Sequence, residues 1–454
     1  MEDHFEVRGH WWLPERADHK VPGILKFSAD RGAELELLGS FRSLLELGER
    51  TEGDGVVNVE MTEDALQLSG RYPRLHGQAE GKPYTLDDCF ATGSSWPVFG
   101  EGGSQVINVG RILRGAIFER DEALEAIAVS FAITYLNHWL SETGITEQWN
   151  FGKDGAPLGE GIPEFRLEAF AKPDRKVTTG DGRTVTLQHR VGMEGDRIDR
   201  RSLTQSFYWR VDSAGGKVPI DDALDWASDL QDLISICSHK AAGFEFVQFL
   251  HPDVYHQLPE NRIIPVPIDM FAQWNVRSER PQPRLYGPDF LFTFEDFGGM
   301  EGIRRWMNVA EEHRTSLGRV AATRYARNMF VSDRLLNCTA ALEGLDRTVT
   351  GHSNSKLKTR LTRCSSLAGQ PFSELVGDIA SWMEAVRLDR DDVAHHFGRR
   401  TRSSSIQTFY LWESLYFLYI LCILRLCDSP EDVFTHVQEH AAYRQLAQRI
   451  RSVI

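Results

Sequence analysis

The sequence has few of the features that mark secreted, zinc-binding and membrane proteins. Its 454 residues contain six cysteines, and no two of them form a C-x-x-C pair, so neither a disulfide framework nor a zinc ribbon is predicted. The first residues are charged and contain no apolar run of the signal-peptide kind. We therefore expect a reducing, cytoplasmic setting.

Basic residues are outnumbered by acidic ones, with 51 Lys and Arg against 65 Asp and Glu. The formal net charge is −14 at pH 7, which argues against a protein that coats nucleic acid through bulk positive charge. Residues 301–454 nevertheless hold 21 Lys and Arg against 17 Asp and Glu, a net of +4, which leaves −18 on residues 1–300. Of those 21 basic residues 19 are arginines, whose forked guanidinium suits phosphate and carboxylate. This asymmetry predicts two units with different partners.

Long apolar runs are limited to one segment, Phe409 to Cys427. Glu413 and Arg425 leave only 11 uncharged residues between them, whereas a membrane span needs about 20. We therefore predict a helix that is buried on most faces, inside a domain or at a dimer interface, and no membrane insertion.

The first 300 residues are predicted to be β-rich, because short apolar or alternating runs recur between Gly, Pro, Asp and Asn. The turn Gly180–Gly182, followed by Arg183–Leu187, indicates a hairpin. One inserted helix is predicted over Ile220–Lys240, where apolar residues recur every three to four positions. Such a pattern is typical of a sandwich or a distorted barrel. The predicted strands are Val21–Ser28, Glu34–Leu38, Ala65–Leu68, Gln105–Ile117, Ile127–Leu136, Phe165–Phe170, Thr184–Leu187, Ser206–Val211 and Arg262–Met270.

From about Gly299 onwards helical periodicity replaces the strand pattern. We therefore predict an α+β multidomain protein, with a β-rich region over residues 1–300 and an all-α bundle over residues 301–454. The predicted helices are Gly302–Arg314, Leu317–Leu345, Leu357–Leu367, Phe372–His395, Ile406–Cys427 and Glu431–Arg451.

The end of the fourth predicted helix, VRLDRDDVAHHFGRR, carries the candidate for chemistry. Arg390 and His395 are separated by four residues there, directly before an arginine-rich turn. The same spacing occurs twice elsewhere, but in loops and turns. On an ideal helix five positions turn about 500°, which leaves the two residues about 140° apart. The helix must therefore bend or end between them, or a partner chain must complete the site.

Two parts of the sequence resemble a known family. The motif RDDVAHH, the long helix with ALEGL (Ala341 to Leu345) and the closing apolar helix make residues 301–454 similar to a HEPN domain of the ApeA-like type. The opening FEVRGHWWLP, followed by VPGILKF and LELLGSF, is similar to the start of the ApeA N-terminal domain. Asp391 is a departure, because Asn is the commonest residue of the family at that position, and it adds a negative charge near the site.

The resemblance implies a metal-independent endoribonuclease that works as a homodimer through its HEPN domain, in abortive infection against bacteriophage or as a toxin. It implies that Arg390 and His395 are catalytic and that no cofactor is needed. In this chemistry the RNA 2′-hydroxyl attacks the phosphate, a histidine moves its proton and a guanidinium stabilises the charge on the phosphate oxygens. The products would be a 2′,3′-cyclic phosphate and a 5′-hydroxyl. The expected RNA-binding residues are Asp391, His396, Arg399, Arg400 and Arg402.

Transfer RNA is the first substrate to test, since several HEPN relatives use it, and a phage protein is the expected trigger at the N-terminal region. The main alternative is a non-catalytic HEPN module that only binds RNA or a protein. A third hypothesis is a carbohydrate-binding β-sandwich with a helical dimerisation tail.

Structural roles compete with functional ones at several residues. Cations at the end of a helix, such as Arg390 and His395, also interact favourably with its dipole. For Glu343 in ALEGL we expect a structural ion pair with an arginine of the bundle. We expect His436 and His440 to be exposed helix residues, because no H-E-x-x-H motif accompanies them. The tryptophans of the first half are expected in a β core rather than stacked on bases.

Overall fold

A computed structural model describes residues 4–41, 48–53, 56–61, 70–95, 103–150, 164–273, 283–326, 328–395, 404–452 and 454. The chain divides into two compact units. The first, called the barrel unit, comprises Met1–Phe131, Gly215–Leu224 and Glu245–Asn275. The second, called the helix-rich unit, comprises Ala132–Ala214, Asp225–Phe244 and Val276–Ile454.

The described strands and helices follow one another as the α+β prediction requires, with strands first and helices last. The strands are β1 (His4–Trp12), β2 (Val21–Ser28), β3 (Gly32–Leu37), β4 (Gly48–Gly53), β5 (Val56–Met61), β6 (Arg71–Ala79), β7 (Lys82–Ser95), β8 (Ser104–Arg114), β9 (Glu125–Ala126), β10 (Ala128–Ile133), β11 (Ile145–Asn150), β12 (Glu164–Ala169), β13 (Arg175–Thr178), β14 (Thr184–Glu194), β15 (Ser202–Asp212), β16 (Val218–Pro219), β17 (Phe244–Leu250), β18 (Tyr255–Gln257), β19 (Ile263–Pro265) and β20 (Ile268–Ala272). The helices are α1 (Leu136–Leu140), α2 (Ile220–Cys237), α3 (Gly299–Tyr325), α4 (Val331–Thr350), α5 (Leu357–Ala368), α6 (Gln370–Val376), α7 (Ile379–His395), α8 (Ser405–Leu426), α9 (Glu431–Glu439) and α10 (Ala441–Ile450).

Six strands of the barrel unit close into an antiparallel barrel in the order β8-β3-β2-β1-β6-β7, and β7 pairs again with β8. The length of β8 permits this closure, because one edge pairs with β7 along nearly its whole length while the other pairs first with β3 and then with β20. A closed barrel leaves its strands no free edge. The prediction of a β-rich region is confirmed, and its architecture is a barrel with outer strands.

Alternating side chains fill the barrel, as β2 shows: Val21, Leu25 and Phe27 are buried and their neighbours are at least partly exposed. The GHWWLP segment near the start of the sequence contributes to this core. Trp11 is 0% exposed and lies opposite Gly77 of β6, where an added Cβ would come within 2.2 Å of the indole ring. The motif therefore belongs to the core of the barrel.

Helix α8 lies at the centre of the helices and contacts α3, α4, α5, α6, α7 and α10. Its residues from Leu411 to Leu424 are all buried. By length and composition it could cross a membrane, but 78% of its most apolar window is buried inside the protein. The predicted buried helix is confirmed. Its one acidic residue, Glu413, accepts two hydrogen bonds from Arg324 of α3, at 2.9 and 2.7 Å.

Four predicted helix boundaries were wrong. Helix α3 runs unbroken to Tyr325, through the break predicted near residue 315, and the predicted helix Leu317–Leu345 is divided between α3 and α4, which begins at Val331. The predicted helix Phe372–His395 is two helices, because Gly377 has φ +76° and the Asp378 carboxylate accepts hydrogen bonds from the first backbone N–H groups of α7. The last predicted helix breaks at His440, whose Nδ1 accepts from the N–H of Ala442 at 3.2 Å. Apolar periodicity continues through such breaks and therefore does not reveal them.

The strand predictions also need correction. The predicted strand Arg262–Met270 is two strands, β19 and β20, and Ala65–Leu68 lies outside the described residues. The short helix α1 was not predicted beside the inserted helix α2. The strands that were not predicted are β1, β4, β5, β6, β7, β9, β11, β16, β17 and β18. The hairpin prediction at Gly180–Gly182 is confirmed by the pairing of β13 with β14.

Candidate functional site

Helix α7 carries the residues predicted to do chemistry. Trp382, Val386 and Asp389 are buried at a spacing of three to four, so this face packs inward. The Thr408 hydroxyl at the start of α8 donates to Asp389 Oδ2 at 2.8 Å, which fastens the last turns of α7 to α8. Arg390 and Asp391, by contrast, are only partly buried and remain accessible.

The Arg390 guanidinium is held between two carboxylates. Its side chain is 33% exposed; Nη1 donates to Asp391 Oδ1 at 3.3 Å, and Nη2 lies 3.9 Å from Glu343 Oε1 on α4. The ion pair predicted for Glu343 is thereby confirmed. Arg387 Nη1 donates to the other oxygen of Asp391 at 2.9 Å. The extra negative charge of Asp391 is therefore shared by two arginines.

Helix α7 is continuous from Ile379 to His395, which is its last residue. The helix does not end between Arg390 and His395, so that alternative was wrong. On a continuous helix the two positions are about 140° apart. Completion of the site by a partner chain stays a prediction. The side chain of His395 lies outside the described residues, as do the predicted RNA-binding residues His396, Arg399, Arg400 and Arg402.

Arg390 also lines a cleft of about 510 Å³ between α3 and α4, called here the α3–α4 cleft. Arg319 of α3 and Arg347 of α4 line it as well, and both are exposed. Neither guanidinium has an ion pair or a hydrogen bond to another residue in the part of the chain that the structure describes. Glu312 and Glu343 are the acidic residues of the cleft. Three cations against two anions give it a net positive charge.

Two polar residues of the cleft are buried, His313 and Ser316. His313 is 4% exposed, and its Nδ1 has no hydrogen-bond partner among the described residues. Burial lowers the pKa of His313, and the nearby Glu312 opposes this shift only in part. The imidazole is therefore neutral at neutral pH. The Ser316 hydroxyl, in contrast, donates to the His313 carbonyl oxygen at 2.9 Å and is 2.8 Å from the Tyr419 hydroxyl.

The α3–α4 cleft was not predicted from the sequence. Its residues come from three helices, and nothing in their spacing brings them together before the helices pack. One signal was available: Ala340 and Gly344 are small residues four positions apart on α4, so they lie on one face of that helix. Such a pair allows another helix to approach or leaves space beside it.

The other candidates have structural roles. The expectation that His436 and His440 are exposed helix residues was wrong, because both are partly buried. His436 Nδ1 lies 3.1 Å from Asp296 Oδ2, and His440 lies between α9 and α10 and caps α10. Among the described residues no group of three or more His, Cys, Asp and Glu side chains could hold a metal ion. As expected for a core role, Trp11, Trp139, Trp209 and Trp226 are buried, whereas Trp149 is exposed.

Comparison with known proteins identifies the larger part of the chain. The family model of ApeA N-terminal domain 1 matches residues 6–306, which is more than half of the chain. The match covers the closed barrel, apart from the first two residues of β1, and ends within α3. No curated protein and no solved structure matches the chain. This protein belongs to the ApeA N-terminal domain 1 family.

Proposed function

We propose that this protein is a HEPN-class endoribonuclease that acts in defence against bacteriophage, with Arg390 and His395 as its catalytic pair. Membership in the ApeA family suggests the defence role. The ribonuclease part is supported by the similarity of RDDVAHH and ALEGL to HEPN sequences. Residues 1–300, with their net charge of −18, are the proposed receptor for a phage protein that acts as the trigger.

One observation carries the nuclease proposal. The partly exposed guanidinium of Arg390 lines a cleft together with two further arginines, Arg319 and Arg347. Arg390 itself lies five positions before His395 on the same helix. A guanidinium that is oriented by carboxylates but still accessible can bind a phosphate in a bidentate manner. A purely structural arginine at a helix end would not need this access.

The proposed reaction is a transesterification. The ribose 2′-oxygen forms a bond to phosphorus, and its proton passes to the imidazole of His395. Arg390 stabilises the charge that builds on the non-bridging oxygens. The bond from phosphorus to the 5′-oxygen breaks, and that oxygen leaves as a 5′-hydroxyl with a proton from water, which regains a proton from the His395 imidazolium. A 2′,3′-cyclic phosphate remains on the other fragment.

A homodimer is part of the proposal. Because Arg390 and His395 lie about 140° apart on one continuous helix, the two positions fall on different faces of α7. A twofold axis near the end of α7 would place the His395 of one copy beside the Arg390 of the other. The same axis would join two arginine-rich segments into one surface for the RNA backbone.

The test is cleavage of labelled RNA, transfer RNA included, by the purified full-length chain with EDTA present. We expect cleavage of RNA and none of DNA, and a loss of about 100-fold or more in His395→Ala and in Arg390→Ala. His352→Ala and Arg444→Ala are matched controls on exposed residues and should retain activity. Intact RNA in every reaction, with a gel shift, would support the non-catalytic binding module instead. Growth with and without phage, measured in parallel, tests the defence role: only infected cells should show His395-dependent growth arrest.

A further inference from the structure

The α3–α4 cleft contains charged and polar side chains that have no role in the proposed reaction of Arg390 and His395. We propose that it binds one nucleotide of a single-stranded RNA, with Arg319 and Arg347 on its phosphate and His313 facing its base, so that the adjoining phosphate lies beside Arg390. This inference rests on the proposed function, since Arg390 is shared, and it adds a substrate-binding site away from the cleaved bond.

The charges of the cleft favour a phosphate with further polar groups attached. Arg319 and Arg347 carry guanidinium groups without a partner among the described residues, and forked donors of this kind bind phosphate well. Glu312 and Glu343 disfavour a compact anion that fills the whole cleft. They can instead accept hydrogen bonds from the hydroxyl and amino groups of a nucleotide.

The buried histidine is the second, independent observation. An enclosed nitrogen without a hydrogen bond destabilises the folded state, and an unsatisfied polar atom in a native structure calls for a specific explanation. His313 has such an atom and lines the cleft. Its neutral ring has one donor and one acceptor nitrogen, which suits the edge of a nucleobase better than it suits phosphate.

The size of the cleft restricts the ligand to a small or single-stranded one. About 510 Å³ lies within the range of small-ligand pockets, and single-stranded RNA can turn a base out of its stack into such a space. Gly344 keeps the cleft open. A Cβ added there would lie 3.6 Å from the Ser316 Cβ, an ordinary contact, so packing does not require glycine. Glycine nevertheless destabilises a helix relative to alanine.

The test measures binding separately from cleavage. Full-length His395→Ala protein is titrated into a fluorescent single-stranded RNA oligonucleotide, and the anisotropy gives Kd at several salt concentrations. Arg319→Ala and Arg347→Ala should each raise Kd about 10-fold. The two changes together should lower the slope of log K against log salt by about 0.7, the value for one phosphate contact on a single strand. Gly344→Gln, which fills the cleft, should raise Kd at least as much.

Matched controls are available on α3 and on α10. Gly318→Gln introduces the same side chain on α3 at a glycine with open space around it, and Arg444→Ala removes an exposed arginine of α10. Both should leave Kd and the salt slope unchanged. Adenosine 5′-monophosphate should compete for the cleft at lower concentration than inorganic phosphate. Equal competition by the two would overturn the assignment of a nucleotide.

The cleavage and binding measurements together distinguish the nucleotide site from the nuclease activity. If the wild-type protein cleaves RNA while the Arg319, Arg347 and Gly344 variants keep the parental Kd and salt slope, the nucleotide site is refuted and the nuclease is not. If the wild-type protein does not cleave RNA but these variants weaken its binding, the site stands and the nuclease proposal fails. Circular dichroism of each variant confirms that it has folded.

Discussion

The closed barrel and the helices from Gly299 onwards are held together by different interactions. The core cluster of the barrel consists of apolar and aromatic side chains such as Trp11, Leu25 and Ile107. Among the helices, charged side chains are buried in pairs. Asp346 is 1% exposed and binds the equally buried Arg360 at 3.0 Å.

The difference follows from where the backbone groups of each architecture find their hydrogen-bond partners. Barrel strands bond to one another, so alternation alone turns apolar side chains inward and charged ones outward. A helix forms its backbone hydrogen bonds within itself. The contacts between helices are therefore determined by their side chains. Buried ion pairs such as Arg324–Glu413 take part in that choice. The barrel should therefore lose stability when a substitution adds volume to its core. The helices should lose stability when a substitution removes one charge of a buried pair.

The largest effect is expected from Glu413→Ala on α8. The change leaves Arg324 of α3 buried without its carboxylate, which typically costs about 3–5 kcal/mol. Urea unfolding, with hydrogen exchange to locate the change, should show that the helices lose protection. Glu431→Ala is the matched control, because it removes an exposed carboxylate from Arg425 on the same α8. It should cost about 1 kcal/mol or less, and equal effects of the two changes would contradict this comparison.

A smaller effect is expected from Gly77→Ala in the barrel. The new Cβ would overlap the Trp11 indole, and overpacking of this kind costs about 1–3 kcal/mol. Loss of hydrogen-exchange protection should be greatest in β1 and β6. Gly70→Ala, a glycine just before β6 with nothing within 4 Å of an added Cβ, is the control. If both variants unfold at the same urea concentration, the close contact between Trp11 and Gly77 has been overestimated.

A third effect, which depends on pH, concerns Asp232 of α2, which accepts a hydrogen bond from the Tyr325 hydroxyl. Burial raises the pKa of this carboxyl from its ordinary 3.8 to about 7, and Asp229 adds to the shift. Between these two values the unfolded chain loses a proton that the folded chain keeps. Stability should therefore fall as the pH rises from about 4 to about 7, by at most about 1.4 kcal/mol per pH unit.

The substitution Asp232→Asn should remove this part of the pH dependence. The free energy of unfolding, obtained from urea titrations at several pH values, should then change less between pH 4 and pH 7 than in the wild type. Asp222→Asn, at an exposed position of the same helix, should retain the wild-type slope. A wild-type slope in Asp232→Asn would show that other groups cause the pH dependence.

Several features were predictable because they depend on local pattern. The alternation in Val21–Ser28 predicted β2 with its bounds, and the charges at Glu413 and Arg425 marked α8 as a buried helix. Helix breaks at Gly377 and His440 were not predictable from periodicity. They depend on positive φ and on single hydrogen bonds between side chain and backbone.

The candidate site was predictable only in part. The motif around Arg390 indicated which helix end to examine, and Glu343 was expected to form an ion pair. Neither Arg319 nor His313 could be connected with that motif, because they lie far away in sequence and line the cleft only through the packing of α3 against α4.

The amino-acid sequence alone determined the order of strands and helices, the charge difference between the two parts and the burial of the apolar helix, since each depends on neighbouring residues and on the period of the backbone. Tertiary structure decided that β8 closes a barrel, that Glu413 meets Arg324 and that three arginines surround a cleft with a buried histidine. These features join residues that are distant along the chain, and only the packing of complete elements brings such residues within reach of one another.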